Sequence, residues 1–246
     1  MPEEIEGVTA LLDNPVTTIL GMRKYTRGTL NNIETVVVFS RWGKVAAAAT
    51  VATLIAEFKI TELIFTGVAG AVHTNLNIGD IVIGSRLIQH DMDARPLMPQ
   101  FEIPLLGKTY FETDTDILTS TQVAIEQLIY NKDIHNTIGT EKLAQFSIDT
   151  PALYVGDIAI GDKFFASTAE KDLLNNSLPS VLCVEMEGAA VAQVCYEYKV
   201  PFVIIRIISD TADDNSHIDF PAFIKNISSN YSVAIINSLY KISENT

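Results

Sequence analysis

Cysteine, positive charge and long apolar runs are all scarce in this chain of 246 residues. Two cysteines, Cys183 and Cys195, are too few for a disulfide framework and point to a reducing, cytoplasmic compartment. Lys plus Arg number 17 against 30 Asp plus Glu, a net charge of −13. That balance lacks the electrostatic footprint of nucleic-acid binding, so no nucleic-acid partner is expected. The longest apolar run, residues 45–56, is broken by threonines and bounded by Lys44 and Glu57. It falls short of the ~20 apolar residues a membrane-spanning helix needs. The start, Pro2-Glu3-Glu4, is the opposite of a basic signal-peptide region. Charged residues make up only 19% and hydrophobic ones 48%, which excludes disorder and leaves apolar surface for a large core and a subunit interface.

What is present is an alternation of apolar runs with longer amphipathic stretches. Strands are expected at 35–40, 63–66, 80–88, 153–160, 182–184 and 202–208. Helices are expected over 44–58, from 188 to 198, and as one closing helix over 220–242. Gly67-Val68-Ala69-Gly70 reads as a small-residue turn. Strands joined by helical crossovers imply one α/β domain over residues 1–246, with a mixed, mostly parallel sheet covered by helices. The stretch 90–116 breaks the rhythm with Pro96, Pro99 and Pro104, and irregular insertions of this kind serve function or an interface.

Ligands of open α/β sheets bind at the carboxyl ends of the strands. Candidate positions are therefore residues 67–70, Phe164-Phe165, Glu185-Met186-Glu187, residues 206–210, and the acidic pair Glu3-Glu4. Asp210 ends an apolar strand, where desolvation raises a carboxylate's pKa; it reads equally as a helix N-cap. Glu185 and Glu187, two apart, face one side of an extended segment and so reach one ligand. Alternatively they favour the start of the helix through its dipole. A carboxylate facing a pocket suits the paired hydroxyls of a ribose. His90-Asp91-Met92-Asp93 and His217 near Asp213 and Asp214 lack a second set of ligands with metal-site spacing, so no metal is expected. Both cysteines read as core residues.

In combination, these stretches resemble the 5'-methylthioadenosine/S-adenosylhomocysteine nucleosidases, within the purine nucleoside phosphorylase-like fold. The resemblance rests on Ser40-Arg41-Trp42-Gly43-Lys44-Val45-Ala46-Ala47, Thr66-Gly67-Val68-Ala69-Gly70, Asn77-Ile78-Gly79-Asp80-Ile81-Val82 and His90-Asp91-Met92-Asp93. It rests most on Val184-Glu185-Met186-Glu187-Gly188-Ala189 and Arg206-Ile207-Ile208-Ser209-Asp210-Thr211-Ala212-Asp213. The resemblance implies that Asp210, with Ser209 in the same motif, serves adenine N7. Glu187 would hold the ribose hydroxyls and Met186 would pack on the sugar. Phe164 would stack on the purine, with Phe165 offering backbone hydrogen bonds. Phe220 would line the 5'-alkylthio pocket, and Trp42 would take a hydrophobic wall position often filled by isoleucine. Val68 stands where many members have serine, and Glu4 matches the acid that activates water.

The implied activity is hydrolysis of an N-glycosidic bond without cofactor or metal. The alternatives are a phosphate-dependent nucleoside phosphorylase, a futalosine-type nucleoside hydrolase, or a non-catalytic nucleoside-binding protein. A homodimer is expected, with Leu97, Met98, Phe101, Leu105, Leu106, Tyr110 and Phe111 at its interface. In the family, the box holding the water-activating acid follows a buried strand, and here no apolar run precedes it. The expectation is a start at an internal methionine with a first strand missing; in the alternative reading residues 17–21 fill its place.

Overall fold

The computed structural model of the protein describes residues 2–243, with the side chains of residues 2–4, 217–218 and 242–243 outside that description. A short helix α1 (Pro2–Thr9) leads into three antiparallel strands, β1 (Asp13–Leu20), β2 (Arg23–Leu30) and β3 (Ile33–Val38). The turns between them place Gly21, Met22, Asn31 and Asn32 at positive φ. Such two-residue connections match the twist of a hairpin. Residues 17–20 therefore lie within β1, paired to β2, and fill no gap in the larger sheet.

Helix α2 (Lys44–Phe58) and strand β4 (Leu63–Ala71) follow, then β5 (Ile81–Gln89) and the short β6 (Tyr110–Glu112). Helices α3 (Thr115–Tyr130), α4 (Asp133–Ile138) and α5 (Thr140–Ala144) precede β7 (Leu153–Ile160) and α6 (Thr168–Ser177). Strand β8 (Val181–Glu185), helix α7 (Gly188–Tyr198) and strand β9 (Phe202–Asp210) come next. The chain closes with α8 (Ser216–Phe223), a π-helical turn (Ile224–Ser228) and α9 (Ser229–Ser243).

The six-stranded sheet has the order β6-β5-β7-β8-β4-β9 and is mixed. Pairings β4–β9, β5–β7 and β7–β8 are parallel, whereas β4–β8, β5–β6 and β5–β9 are antiparallel. The β5–β9 pairing, with Ile81 opposite Ile207, closes five of the strands into a ring. All nine residues of β9 are buried, as a strand covered on both faces requires. In α2, Ala47, Val51 and Leu54 repeat at helical spacing on the buried face, and this helix lies against α7. Among the described residues β4 pairs with β9 and, at its end, with β8. Its remaining edge looks across a groove toward β3.

Two sequence expectations are corrected here. Residues 67–70 are not a turn but the continuation of β4. Their smallness has a packing cause: a Cβ on Gly67 would lie 3.1 Å from Nη1 of Arg206, and one on Gly70 would lie 2.9 Å from Oδ1 of Asp210. The closing helix is not continuous either. It begins at Ser216, contains Pro221 and is interrupted by the π-turn before α9. Proline has no N–H to donate, and π-turns inside helices absorb such irregularities.

The close approach at Gly70 generates a prediction. Gly70→Val places a side chain against Asp210 and Ala212, and overpacking of this kind costs about 1–3 kcal/mol. Thermal unfolding followed by circular dichroism should show Tm lower by several degrees; an unchanged Tm would mean that the strand tolerates a Cβ there.

Candidate active site

The carboxyl ends of β4, β8 and β9 converge on a cavity of about 810 Å³, within the size range of small-molecule sites. That volume includes a groove lined by β3 and β4 that runs toward α1 and α9. Eight of the residues that the resemblance assigns to the site line the cavity: Asp210, Ser209, Glu187, Met186, Val68, Phe164, Trp42 and Phe220. The Phe165 side chain turns away into the core, edge-on to His90 at 5.4 Å between ring centroids. Glu4 belongs to α1, and its side chain lies outside the described residues.

Asp210 reaches the cavity through a bulge. Ala69 is opposite Ile208 but Gly70 is opposite Asp210, so Ser209 is the extra residue on β9. Bulges re-aim side chains in this way beside ligand sites. The Asp210 carboxylate is buried and accepts from Ser209 Oγ at 2.9 Å and from the Ala212 backbone N–H at 2.9 Å. Burial raises its pKa above the usual carboxylate range, and those hydrogen bonds oppose the shift only in part. Asp210 thus binds a proton more tightly than an ordinary carboxylate does.

Glu185 and Glu187 divide between them the two roles left open by the sequence. Residue 187 occupies the N-cap position of α7, yet its side chain makes no capping bond. Glu185 caps instead: it accepts from the N–H of Gly188 at 2.7 Å and of Glu187 at 3.1 Å. Its charge is matched by Arg206, which donates to it from Nε at 3.1 Å and from Nη2 at 2.5 Å. The freed Glu187 carboxylate accepts from the Gly43 N–H at 2.9 Å. Desolvation and the neighbouring Glu185 push its pKa up to about 7.

Sequence reasoning placed Arg206 and Gly43 in candidate stretches but gave neither a role. The first had a signal: an arginine inside the most apolar strand must be paired once buried. The second had none, because a backbone N–H carries no residue type. Asp91, from the weak metal candidate, ties the loops together. It pairs with Lys44 Nζ at 2.6 Å and accepts from the Asp162 N–H at 3.0 Å, while Asp162 accepts from the Lys44 N–H at 2.8 Å. The described residues contain no group of three or more His, Cys, Asp or Glu arranged to hold a metal ion. Cys183 and Cys195 are buried, and burial raises both thiol pKa values.

At the mouth, three aromatic rings form a wall. Phe220 meets Trp42 edge-on at 6.1 Å and Phe164 at 5.5 Å. Trp42 is 54% exposed and Phe164 41% exposed, so both present ring surface for a planar or alkyl ligand.

The elevated proton affinity of Glu187 has a consequence for stability. A carboxylate whose pKa is raised on folding destabilises the native state at any pH above its unfolded value, by about 1.4 kcal/mol per pKa unit. The burden is complete above pH about 7 and absent below the ordinary value of 4.5. Glu187→Gln should therefore raise Tm by several degrees at pH 8, with the gain fading toward pH 4.5. A gain that does not vary with pH would assign it to packing instead.

Similarity to known proteins follows the same outline. The family model described as the phosphorylase superfamily matches residues 1–239. The 5'-methylthioadenosine/S-adenosylhomocysteine nucleosidase of Psychromonas ingrahamii is 34% identical over 97% of this chain and 96% of its own length. The enzyme of that name from Staphylococcus epidermidis is 32% identical over 91% and 89%. Among solved structures, the Neisseria meningitidis nucleosidase in complex with methylthio-immucillin-A superposes with a TM-score of 0.86 at 30% identity, covering 98% of this chain and 96% of that one. The futalosine hydrolase of Helicobacter pylori superposes with a TM-score of 0.81 at 30% identity, covering 99% and 94%. With a superfamily match across nearly all its length and relatives above 30% identity over more than nine-tenths of it, the chain belongs to the 5'-methylthioadenosine/S-adenosylhomocysteine nucleosidase family of the phosphorylase superfamily.

Proposed function

We propose that the protein hydrolyses the N-glycosidic bond of 5'-methylthioadenosine and S-adenosylhomocysteine, releasing adenine and the thio-ribose. The observation that carries this reading is the pairing of two buried carboxyl groups of raised pKa, Asp210 and Glu187, in one aromatic-walled cavity. The curated relatives bear the name of this activity, and of two nucleosidase structures one holds a transition-state inhibitor and the other methylthio-immucillin-A.

Cleavage of a glycosidic bond passes through an oxocarbenium-like sugar, and the departing base must be neutralised. Asp210 supplies its proton to N7 of the purine as the C1'–N9 electron pair moves onto the base. Glu187 accepts hydrogen bonds from the ribose hydroxyls, and its negative charge, when ionised, opposes the positive charge developing on the sugar. Met186 packs on that sugar, with Val68 beside it. Phe164 stacks on the purine, and Trp42 with Phe220 encloses the 5' substituent. The backbone of Phe165 serves the purine edge. Water adds to C1' and gives its proton to a carboxylate; the resemblance assigns that step to Glu4.

Hydrolysis is favoured over phosphorolysis by the commitments of the arginines lining the cavity. Arg206 is paired to Glu185, Arg27 to Glu34, and Arg41 donates to the Met22 carbonyl. Phosphate binding calls for such groups around the nucleophile. The resemblance to futalosine hydrolases supports a second reading, a hydrolase of another nucleoside at the same site. Free buried cysteines suit a cytoplasmic setting.

The protein is further read as a homodimer through residues 90–116. Leu97 and Leu105 are 88% and 94% exposed, whereas Phe111 is buried in the core and belongs to no exposed patch.

Liquid chromatography of reaction products should show adenine released from 5'-methylthioadenosine at a rate that added phosphate does not change; a requirement for phosphate would make the enzyme a phosphorylase. Asp210→Asn should lower kcat about 10²–10⁴-fold, because an amide has no proton to give, while leaving the circular dichroism spectrum intact. Near wild-type turnover would remove Asp210 from its role. Light scattering at micromolar concentration should return twice the chain mass; a monomer would rule the interface out.

A further inference from the structure

We propose that Glu185 and Arg206 form a positioning pair that holds the Glu187 carboxylate toward a bound ribose, by taking over the capping of α7 that Glu187 would otherwise perform. The inference rests on the reading of the site as a nucleoside hydrolase.

The start of α7 holds a conflict between capping and ligand binding. Residue 187 stands at the N-cap, and a carboxylate there ordinarily turns back to accept from the first N–H groups of its own helix. A side chain so occupied cannot serve a ligand. Here the N–H of Gly188 at 2.7 Å and of Glu187 at 3.1 Å are already satisfied by Glu185, two residues upstream at the end of β8. The Glu187 side chain makes no cap bond and instead meets the Gly43 N–H across the cavity.

Glu185 holds this post only because Arg206 fixes it from β9. The guanidinium grips one carboxylate oxygen with two nitrogens, lies 4.4 Å over the Phe65 ring and donates to the Ile205 carbonyl at 3.1 Å. The surroundings are cut to fit the pair. A Cβ at Gly188 would stand 2.8 Å from Oε1 of Glu185, and one at Gly67 would stand 3.1 Å from Nη1 of Arg206. Both charged side chains are about 1–2% exposed, so the pair is not a surface ornament.

Two charged groups act on Glu187: Glu185 from β8, which favours its protonation, and Arg206 from β9, which opposes it. The α2 side contributes the neutral Gly43 N–H. Removing one partner or the other must therefore move Glu187 in opposite directions. In Arg206→Gln, Glu185 acts unopposed and Glu187 stays protonated to higher pH. In Glu185→Gln, Arg206 acts unopposed and Glu187 ionises at lower pH.

The test is the pH profile of kcat/KM for adenine release from 5'-methylthioadenosine between pH 5 and 9, with folding checked by circular dichroism. Arg206→Gln should move the acid limb up by about one unit or more and Glu185→Gln should move it down, with Arg206→Lys restoring most of the wild-type position. Calorimetry adds a second readout: both variants should weaken binding of 5'-methylthioadenosine about tenfold and leave binding of adenine, which has no ribose, unchanged. Limbs that stay in place or move together, or an equal loss of adenine binding, would overturn the positioning role while the hydrolase reading stood. A wild-type protein that releases no adenine from any thio-nucleoside would overturn both. Should a single variant not fold, the neutral double variant Glu185→Gln with Arg206→Gln decides: a raised KM supports the role and a wild-type KM refutes it.

Discussion

A guanidinium buried in the middle of a β-strand sets the terms for the rest of this active centre. Desolvating Arg206 and Glu185 is expensive, and the exchange balances only when geometry is good and the remaining donors and acceptors are matched. The fold meets that demand from several directions: Phe65 stacks on the guanidinium, the Ile205 carbonyl takes a proton donor, and the start of α7 fills the far side of the carboxylate. Removing either partner alone would leave a buried charge, at roughly 3–5 kcal/mol. The glycines at 67 and 188, the approach of β4 to β9 and the line along which α7 departs are consequences of housing this pair.

Much of the architecture could be read from the sequence because burial on two faces writes itself as unbroken apolar runs. Helix α2 and strand β7 coincide with their expected limits for that reason. The reading failed where local composition had a tertiary cause. The segment 67–70 looks like a turn because it is small, and it is small because two side chains from β9 lie over it. The hairpin strands β1 and β2 carry few buried residues, so periodicity had little to register. In the site, Asp210 was legible as a carboxylate ending a buried strand. The division between Glu185 and Glu187 was not, since residues two apart in an extended segment are equivalent until the helix that follows chooses one as its cap.

The centre also carries an imbalance of sign that fits its chemistry. At the cavity end, Glu185 is matched by the guanidinium of Arg206, and Glu187, once ionised, adds a negative charge without a cation of its own. A fixed environment of this kind stabilises positive charge where it develops and does so without reorganising at the moment of reaction. It disfavours anionic ligands, and the chain's overall charge of −13 reinforces that preference at longer range. A neutral nucleoside that becomes cationic on the way to products is the kind of molecule this field accepts.

The bulge on β9 gives the site a dependence on counting. One inserted residue makes Asp210, and not Ser209, the partner of Gly70. Without the bulge the same residues would continue in register, with Ser209 opposite Gly70, and a hydroxyl instead of a carboxyl would meet the cavity. The register of this strand past Ile208 is therefore decisive for chemistry. The surface loops reverse that arithmetic, since their length can drift without altering which group meets the ligand. At this strand the group offered to a ligand is held in an integer.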